Sequence, residues 1–223
     1  MNPEKLTRTL WIISGVLVAL HILNRVMGAP SWQFERLFDL SREMNVPTWF
    51  SSVQWLIAAW VAYGCAQVPQ RPSESRIWFV LAGGFLILSI DEVAMIHENL
   101  GRMIEQNLYP QKLVATFSAT NWPIAVMPFL ALTLFWAARG LRGAFKGSAQ
   151  ARKLLILGAG LVIFGAMILE MLNNIPGENM KWLPTIETIV EESLEMAGVT
   201  TIIAGLFAHR KFLESHLVKA VRL

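Results

Sequence analysis

The stretch Ile77–Glu98, IWFVLAGGFLILSIDEVAMIHE, decides how the chain is interpreted. Its part Ile77–Ile96 contains only two charged residues, Asp91 and Glu92, and both lie in the second half. About 20 predominantly apolar residues are enough for a helix to cross a bilayer. The stretch therefore predicts a membrane-spanning helix whose ionisable groups are gathered at one end.

Similar apolar stretches recur along the chain, which is 54% hydrophobic and only 16% charged. A soluble domain usually carries about 25% charged residues. The sequence therefore predicts an all-α membrane protein, a bundle of about six transmembrane helices that forms a single domain over residues 1–223. The predicted spans are Leu10–Val26, Trp49–Val68, Ile77–Ile96, Ala119–Ala138, Leu154–Leu172 and Ile186–Ala208.

The distribution of Lys and Arg predicts the orientation. With six spans, 13 of the 19 Lys and Arg residues share the side that holds both termini. The positive-inside rule makes that side cytoplasmic and indicates an integral protein of a bacterial inner membrane. Because these cations lie in short segments between apolar runs, the pI of about 9.2 reflects topology and does not indicate nucleic-acid binding.

Aromatic residues and one linker predict the membrane boundaries. In the linker Ser31–Glu43, large apolar residues alternate with charges, which predicts a short amphipathic helix on the outer surface. Tryptophans near the ends of spans are typical of interfacial belts. The expected outer belt contains Trp32, Trp49, Trp122 and Trp182, and the expected inner belt contains Trp11, Trp78 and Trp136.

Acidic residues gather where the third span ends and the sixth begins. The helical pattern of span three continues to Gln106, which would place Asp91 and Glu98 on one face. In span six, Glu187, Glu191 and Glu195 form a row that Gly198 and Gly205 continue, so this face should contact protein and not lipid. Span five brings Glu170 to a similar depth.

Ionisable groups inside spans are costly and usually functional. Carboxylates together with imidazole suit a divalent metal, here zinc or iron. The predicted ligands are Asp91, Glu92, His97, Glu191, Glu192 and Glu195, and the predicted catalytic acid–base residues are Glu98 and Glu170. The function predicted from these residues is a metal-dependent membrane enzyme that acts on a lipid-like or periplasmic substrate.

Three other interpretations stay open at this point. The protein could be a proton- or cation-coupled transporter, or an accessory subunit of a larger membrane complex. The acidic residues could also form a salt-bridged vestibule with Arg25, Arg102 and Lys181. The inner halves of the predicted spans contain no buried charge, which favours a pocket closed at its cytoplasmic end over a transport route.

The acidic pattern resembles di-iron helical bundles in its chemistry only. Those bundles use Glu-x-x-His on each of two helices. Here four residues separate Glu92 from His97, and the sixth span contains no histidine. No fold or activity is transferred from that resemblance.

Overall fold

The protein is described by a computed structural model, which covers residues 2–68, 72–97, 99–100, 103, 131–133, 135–136, 138–143, 145, 147–169 and 183–221. The described elements are all helical. They are α1 (Pro3–Val26), α2 (Trp32–Phe38), α3 (Val46–Gln67), α4 (Pro72–Ala94), α5 (Ala149–Ile163) with a π-helical continuation (Phe164–Leu169), and α6 (Leu183–Val221). Further helical residues lie between positions 131 and 143.

Sequence signals fix where two of the long helices begin. The side chain of Asn2 accepts hydrogen bonds from the backbone N–H groups of Glu4 and Lys5, and Pro3 occupies the first turn. Asn45 caps α3 in the same way by accepting from the N–H of Thr48. An Asn cap satisfies N–H groups that have no partner within the helix, and Pro fits the first turn because it has no N–H.

Three of the described helical segments are long and apolar enough to cross a membrane: Pro3–Val26, Glu74–Ala94 and Ala149–Leu169. They correspond to the first, third and fifth predicted spans. The second predicted span overlaps α3 except for its last residue, Val68, and the sixth lies within α6; both helices form as expected but do not reach that apolarity. The fourth, Ala119–Ala138, lies mostly outside the described residues.

The surface of these three helices is apolar. Of the 18 most apolar consecutive residues in each helix, only 22%, 17% and 17% are buried inside the protein. Large side chains such as Val26, Ile87 and Ile156 are 80%, 63% and 67% exposed. Exposing such apolar surface to water costs about 25 cal/mol per Å², whereas contact with lipid tails does not carry this cost. These surfaces are therefore suited to a bilayer.

Two boundary predictions need correction. The predicted amphipathic segment Ser31–Glu43 is helical only over Trp32–Phe38, and the chain after it turns back at Asp39. Trp32 and Trp49 are each 62% exposed, as an interfacial belt requires, but Trp78 is fully buried. The placement of Trp78 in the inner belt was therefore wrong, because its ring packs on Phe145 and His209.

The core lies where α3, α4, α5 and α6 pack together. Gly158 of α5 and Gly198 of α6 face each other so closely that a methyl group added to either would lie 2.6–2.7 Å from the carbonyl oxygen of the other. Gly205 lies one heptad further along α6, against Ala151 and Leu155. The prediction that the glycine row of span six contacts protein is confirmed.

A buried aromatic cluster surrounds His209, just beyond the predicted sixth span. The imidazole stacks on Trp78 at a centroid distance of 4.6 Å and meets the edge of Phe145 at 5.0 Å. Neither of its ring nitrogens has a hydrogen-bond partner within the described part of the chain. Burial lowers the pKa of His209 to about 4, so the folded protein holds this side chain neutral.

The cluster makes stability depend on pH. In the unfolded chain a histidine takes up a proton below pH ~6.5, whereas folded His209 does so only below about pH 4. The free energy of unfolding is therefore highest above pH ~6.5 and falls as the pH drops from there to about 4. The variant His209→Phe should lose this acid sensitivity and raise the melting temperature at pH 7, because it removes two unsatisfied buried nitrogens at about 1–3 kcal/mol each.

Thermal unfolding in detergent at several pH values between 7 and 5 measures both effects. His216→Phe is the matched control, since His216 lies on the same helix but is exposed. It should keep the acid sensitivity of the wild type. An unchanged pH profile in His209→Phe would contradict the assignment of that sensitivity to His209.

Candidate functional site

A cavity of about 440 Å³ lies between the end of α4, the start of α6, the π-helical segment and the chain that leads into α3. Its walls are apolar, with Trp55, Phe85, Leu88 and Ile163 among them. Its ionisable lining residues within the described chain are six carboxylates and one histidine: Glu43, Asp91, Glu92, Glu191, Glu192, Glu195 and His97.

The structure thus brings the predicted metal-ligand residues to one place. Asp91 and Glu92 lie in the last turn of α4 and His97 just after it, and Glu191, Glu192 and Glu195 lie in the third and fourth turns of α6. The two predicted acid–base residues, Glu98 and Glu170, lie outside the described residues.

Glu43 lines the cavity but was not among the site residues predicted from the sequence. Its Oε2 accepts a hydrogen bond from Thr48 Oγ1 at 3.1 Å, which ties the segment before α3 to the first turn of that helix. The predicted amphipathic helix would have placed Glu43 at the membrane surface. The signal that was available is Asn45–Pro47, a helix-start sequence that separates Glu43 from the preceding helix.

A buried ion pair shapes this segment. Asp39 is 1% exposed and accepts two hydrogen bonds from Arg25 at 2.9 and 3.1 Å, and two more from the N–H and hydroxyl of Ser41. Burial alone would raise the pKa of Asp39, but the Ser41 hydrogen bonds and the Arg25 charge outweigh it and hold that pKa below its usual range. The Leu40 N–H donates to His21 Nδ1 at 3.0 Å, which fixes the segment to α1.

The end of α4 differs from its predicted course. The helix ends at Ala94, and Met95 has φ +52°. The prediction of a continuous helix to Gln106 is therefore wrong at this residue. A left-handed conformation is uncommon for a residue with a side chain and often occurs at functional sites. The Met95 N–H still donates to the Asp91 carbonyl oxygen at 2.7 Å, as in the last turn of a helix, and the chain changes direction after it.

Because of this break, His97 meets Asp91 although six positions separate them. The Asp91 carboxylate accepts the backbone N–H of His97 on Oδ1 at 2.8 Å, and its Oδ2 lies 2.6 Å from His97 Nδ1. Both side chains are partly exposed, at 19% for Asp91 and 37% for His97. The contact fixes how the imidazole is oriented at the cavity.

Glu92 belongs to the apolar side of the cavity. Its Oε1 accepts a hydrogen bond from Trp55 Nε1 at 3.2 Å, and the Trp55 ring stacks on Phe85 at a centroid distance of 5.6 Å. The neighbouring contact between α3 and α4 is also polar, since Ser52 and Ser89 each donate to the other's backbone carbonyl oxygen. These bonds hold the Glu92 carboxylate against an aromatic wall.

The acidic row of α6 is held by the π-helical segment of the neighbouring helix. A methyl group added to Gly165 would lie 3.0 Å from both the Glu191 carbonyl oxygen and Glu195 Cγ, so this close approach favours glycine. Ala166 and Met167 of the same segment line the cavity. The wider turn of a π-helix is frequent at functional sites.

The charge balance of the cavity is strongly negative. Within the described residues, its lining contains no Lys or Arg. Arg25, one of the cations expected to neutralise the acids, is paired with Asp39 instead. The other two, Arg102 and Lys181, lie outside the described residues. The salt-bridged vestibule therefore loses one of its three proposed cations.

The donor types fit a divalent metal, but the donor atoms of the described residues lie too far apart to hold one as they stand. In the part of the chain that the structure describes, no three His, Cys, Asp or Glu side chains lie close enough together to hold a metal ion. Glu side chains have three rotatable bonds each, so a cation could draw carboxylates inward without movement of the helices. The cavity as described is an acidic, partly apolar chamber lined by six carboxylates and one imidazole.

Comparison with known proteins gives one match. The model of a family described as a domain of unknown function (DUF8692) matches residues 9–210. No curated protein and no solved structure matches the chain.

Proposed function

The chain belongs to the DUF8692 family, whose description assigns no function, and we propose one from the site itself. The protein is a multi-pass membrane enzyme whose acidic cavity binds a divalent metal ion and acts on a lipid-like or periplasmic substrate. The observation that supports this most is the cavity lining, in which six carboxylates and a histidine meet without a described Lys or Arg.

Electrostatics favours a bound cation. Several carboxylates in a partly apolar chamber repel one another, and a buried charge is unfavourable unless it is paired. Protonation of some carboxylates or binding of a cation would relieve this repulsion. Imidazole beside carboxylates favours zinc or iron over magnesium or calcium, and His97 supplies that imidazole.

The proposed ligands are Glu92, His97, Glu191 and Glu195, and Glu43 is added as a candidate. A bound metal would polarise a substrate oxygen or activate water. Glu98 and Glu170 stay as the proposed acid–base residues. The apolar walls around Trp55 and Phe85 suit the hydrocarbon part of an amphiphile, whose polar group would then face the carboxylates.

The arrangement in the membrane is part of the proposal. We infer six spans, with both termini in the cytoplasm and the cavity opening to the outer side. Topology reporters fused at Gly143 and at the C-terminus should both report a cytoplasmic location. A periplasmic signal at either position would reverse the orientation and place the cavity on the wrong side for a periplasmic substrate.

Metal analysis of the protein, purified gently in detergent without chelator, tests the function. We expect about one equivalent of zinc or iron, as one closed ligand set holds one ion. Metal-free protein that shows proton-linked uptake would replace the proposal with a transporter. Copurification of a stable larger complex without metal would replace it with an accessory subunit.

A further inference from the structure

The contact between Asp91 and His97 assigns different roles to two residues that the sequence placed together as ligands. A neutral imidazole carries one N–H, and an ionised carboxylate can only accept hydrogen bonds. Since Asp91 Oδ2 lies 2.6 Å from His97 Nδ1, the proton of His97 is held on Nδ1. The lone pair of the imidazole is then on Nε2.

We infer, on the basis of the proposed function, that Asp91 is a positioning residue that presents Nε2 of His97 to the metal and is not a ligand itself. Metal-binding histidines commonly donate their other ring N–H to a carboxylate, which fixes the tautomer and the ring orientation. Asp91 is engaged on both oxygens, one with the ring and one with the His97 backbone N–H.

The helix break explains why this pair exists. On a continuous helix, a residue lies beside those three and four positions away, and His97 is six positions beyond Asp91. The left-handed Met95 ends the helix, so that the His97 N–H reaches Asp91 Oδ1, while the Met95 N–H still donates to the Asp91 backbone carbonyl as in the last turn of a helix. Changes to the Asp91 side chain therefore leave this backbone bond in place.

Asp91→Asn should move the ring proton of His97 from Nδ1 to Nε2, while the side chain at position 91 keeps nearly the same shape. The Asn oxygen can still accept the His97 backbone N–H, while its NH₂ group then faces Nδ1 as a donor. The imidazole must accept on Nδ1 and carry its proton on Nε2, where it blocks a metal. Glu192→Gln is the matched control for the tautomer alone, since it removes one negative charge from the cavity lining at a position other than Asp91.

Nitrogen NMR of ¹⁵N-histidine-labelled protein tests this inference without any metal, because the two tautomers have different ¹⁵N shifts. The chain has four histidines, so the His97 signals can be assigned by their loss in His97→Gln. At a pH at which the ¹⁵N shifts show the His97 ring to be neutral, the wild type and Glu192→Gln should show it protonated on Nδ1. Asp91→Asn should show it protonated on Nε2.

Titration with Zn²⁺ alone then measures the consequence. Asp91→Asn should weaken zinc affinity about 10–100-fold, the usual effect of losing such a partner. Wild-type His97 protonated on Nε2, or an unchanged tautomer in Asp91→Asn, would overturn the inference. The expected tautomers without zinc binding to the wild type would leave the role of Asp91 standing and remove the proposed function.

Discussion

Glu92→Gln and Glu191→Gln should each keep the protein folded and reduce its bound metal at least about tenfold, the lower range seen when a metal site loses a supporting group. The change from carboxylate to amide keeps the side-chain volume and removes the negative charge. The two residues reach the cavity from different helices, α4 and α6, so a shared loss would show that one ion joins both.

Metal content per protein and thermal stability should be measured on the same preparations. Glu4→Gln is the matched control, since it makes the same chemical change on an exposed residue at the start of α1, and it should retain the metal. If the carboxylates only stabilise the bundle, both cavity variants would lower the melting temperature and the wild type would have no metal to lose. That result would end the metal hypothesis.

Gly198→Ala should cause a large loss of stability, because Gly198 lies at the close crossing of α5 and α6. The new methyl carbon would lie 2.7 Å from the Gly158 carbonyl oxygen and 2.9 Å from the Val162 backbone nitrogen. Backbone atoms cannot turn aside as side chains do, so α5 and α6 would have to separate. Overpacking of this kind costs about 1–3 kcal/mol, and Gly198→Leu should cost more and reduce the yield of folded protein.

Gly160→Ala is the control on the partner helix, because a methyl group there meets no atom within 4 Å. It should leave stability unchanged or raise it by up to about 1 kcal/mol through better helix propensity. Melting temperatures in the same detergent compare the two variants. Equal stability of Gly198→Ala and Gly160→Ala would mean that the close crossing of α5 and α6 does not exist.

Much of the site could be predicted because its signals are local. The row Glu187, Glu191, Glu195 and the glycines after it follow helical periodicity, and α6 is helical throughout. Once the helix is given, the high energy of charges in an apolar span requires the acids to face other protein. The same cost predicts that Asp91 and Glu92 face protein, and both line the cavity together with the carboxylates of α6.

The rest depends on contacts between distant residues, which periodicity does not report. Met95 is a good helix former by propensity, so nothing local marks the break at which His97 turns back to Asp91. Glu43 reaches the cavity because Arg25 binds Asp39, fourteen positions further along the chain, and bends the segment before α3. Trp78 is a tryptophan near the end of a span, as belt residues are, but its ring is buried against Phe145 and His209.

The length of α6 has a mechanical consequence. At 1.5 Å per residue its 39 residues extend about 58 Å, nearly twice the ~30 Å hydrocarbon thickness. The close crossing with α5 at Gly198 divides α6 into two parts. The acidic row lies in one part and His209 in the other. A tilt of about 10° around this crossing would displace the two ends by about 4 and 6 Å in opposite directions. If α6 moves as one body about Gly198, a small displacement of the acidic row gives a larger one at the end of the helix beyond His209.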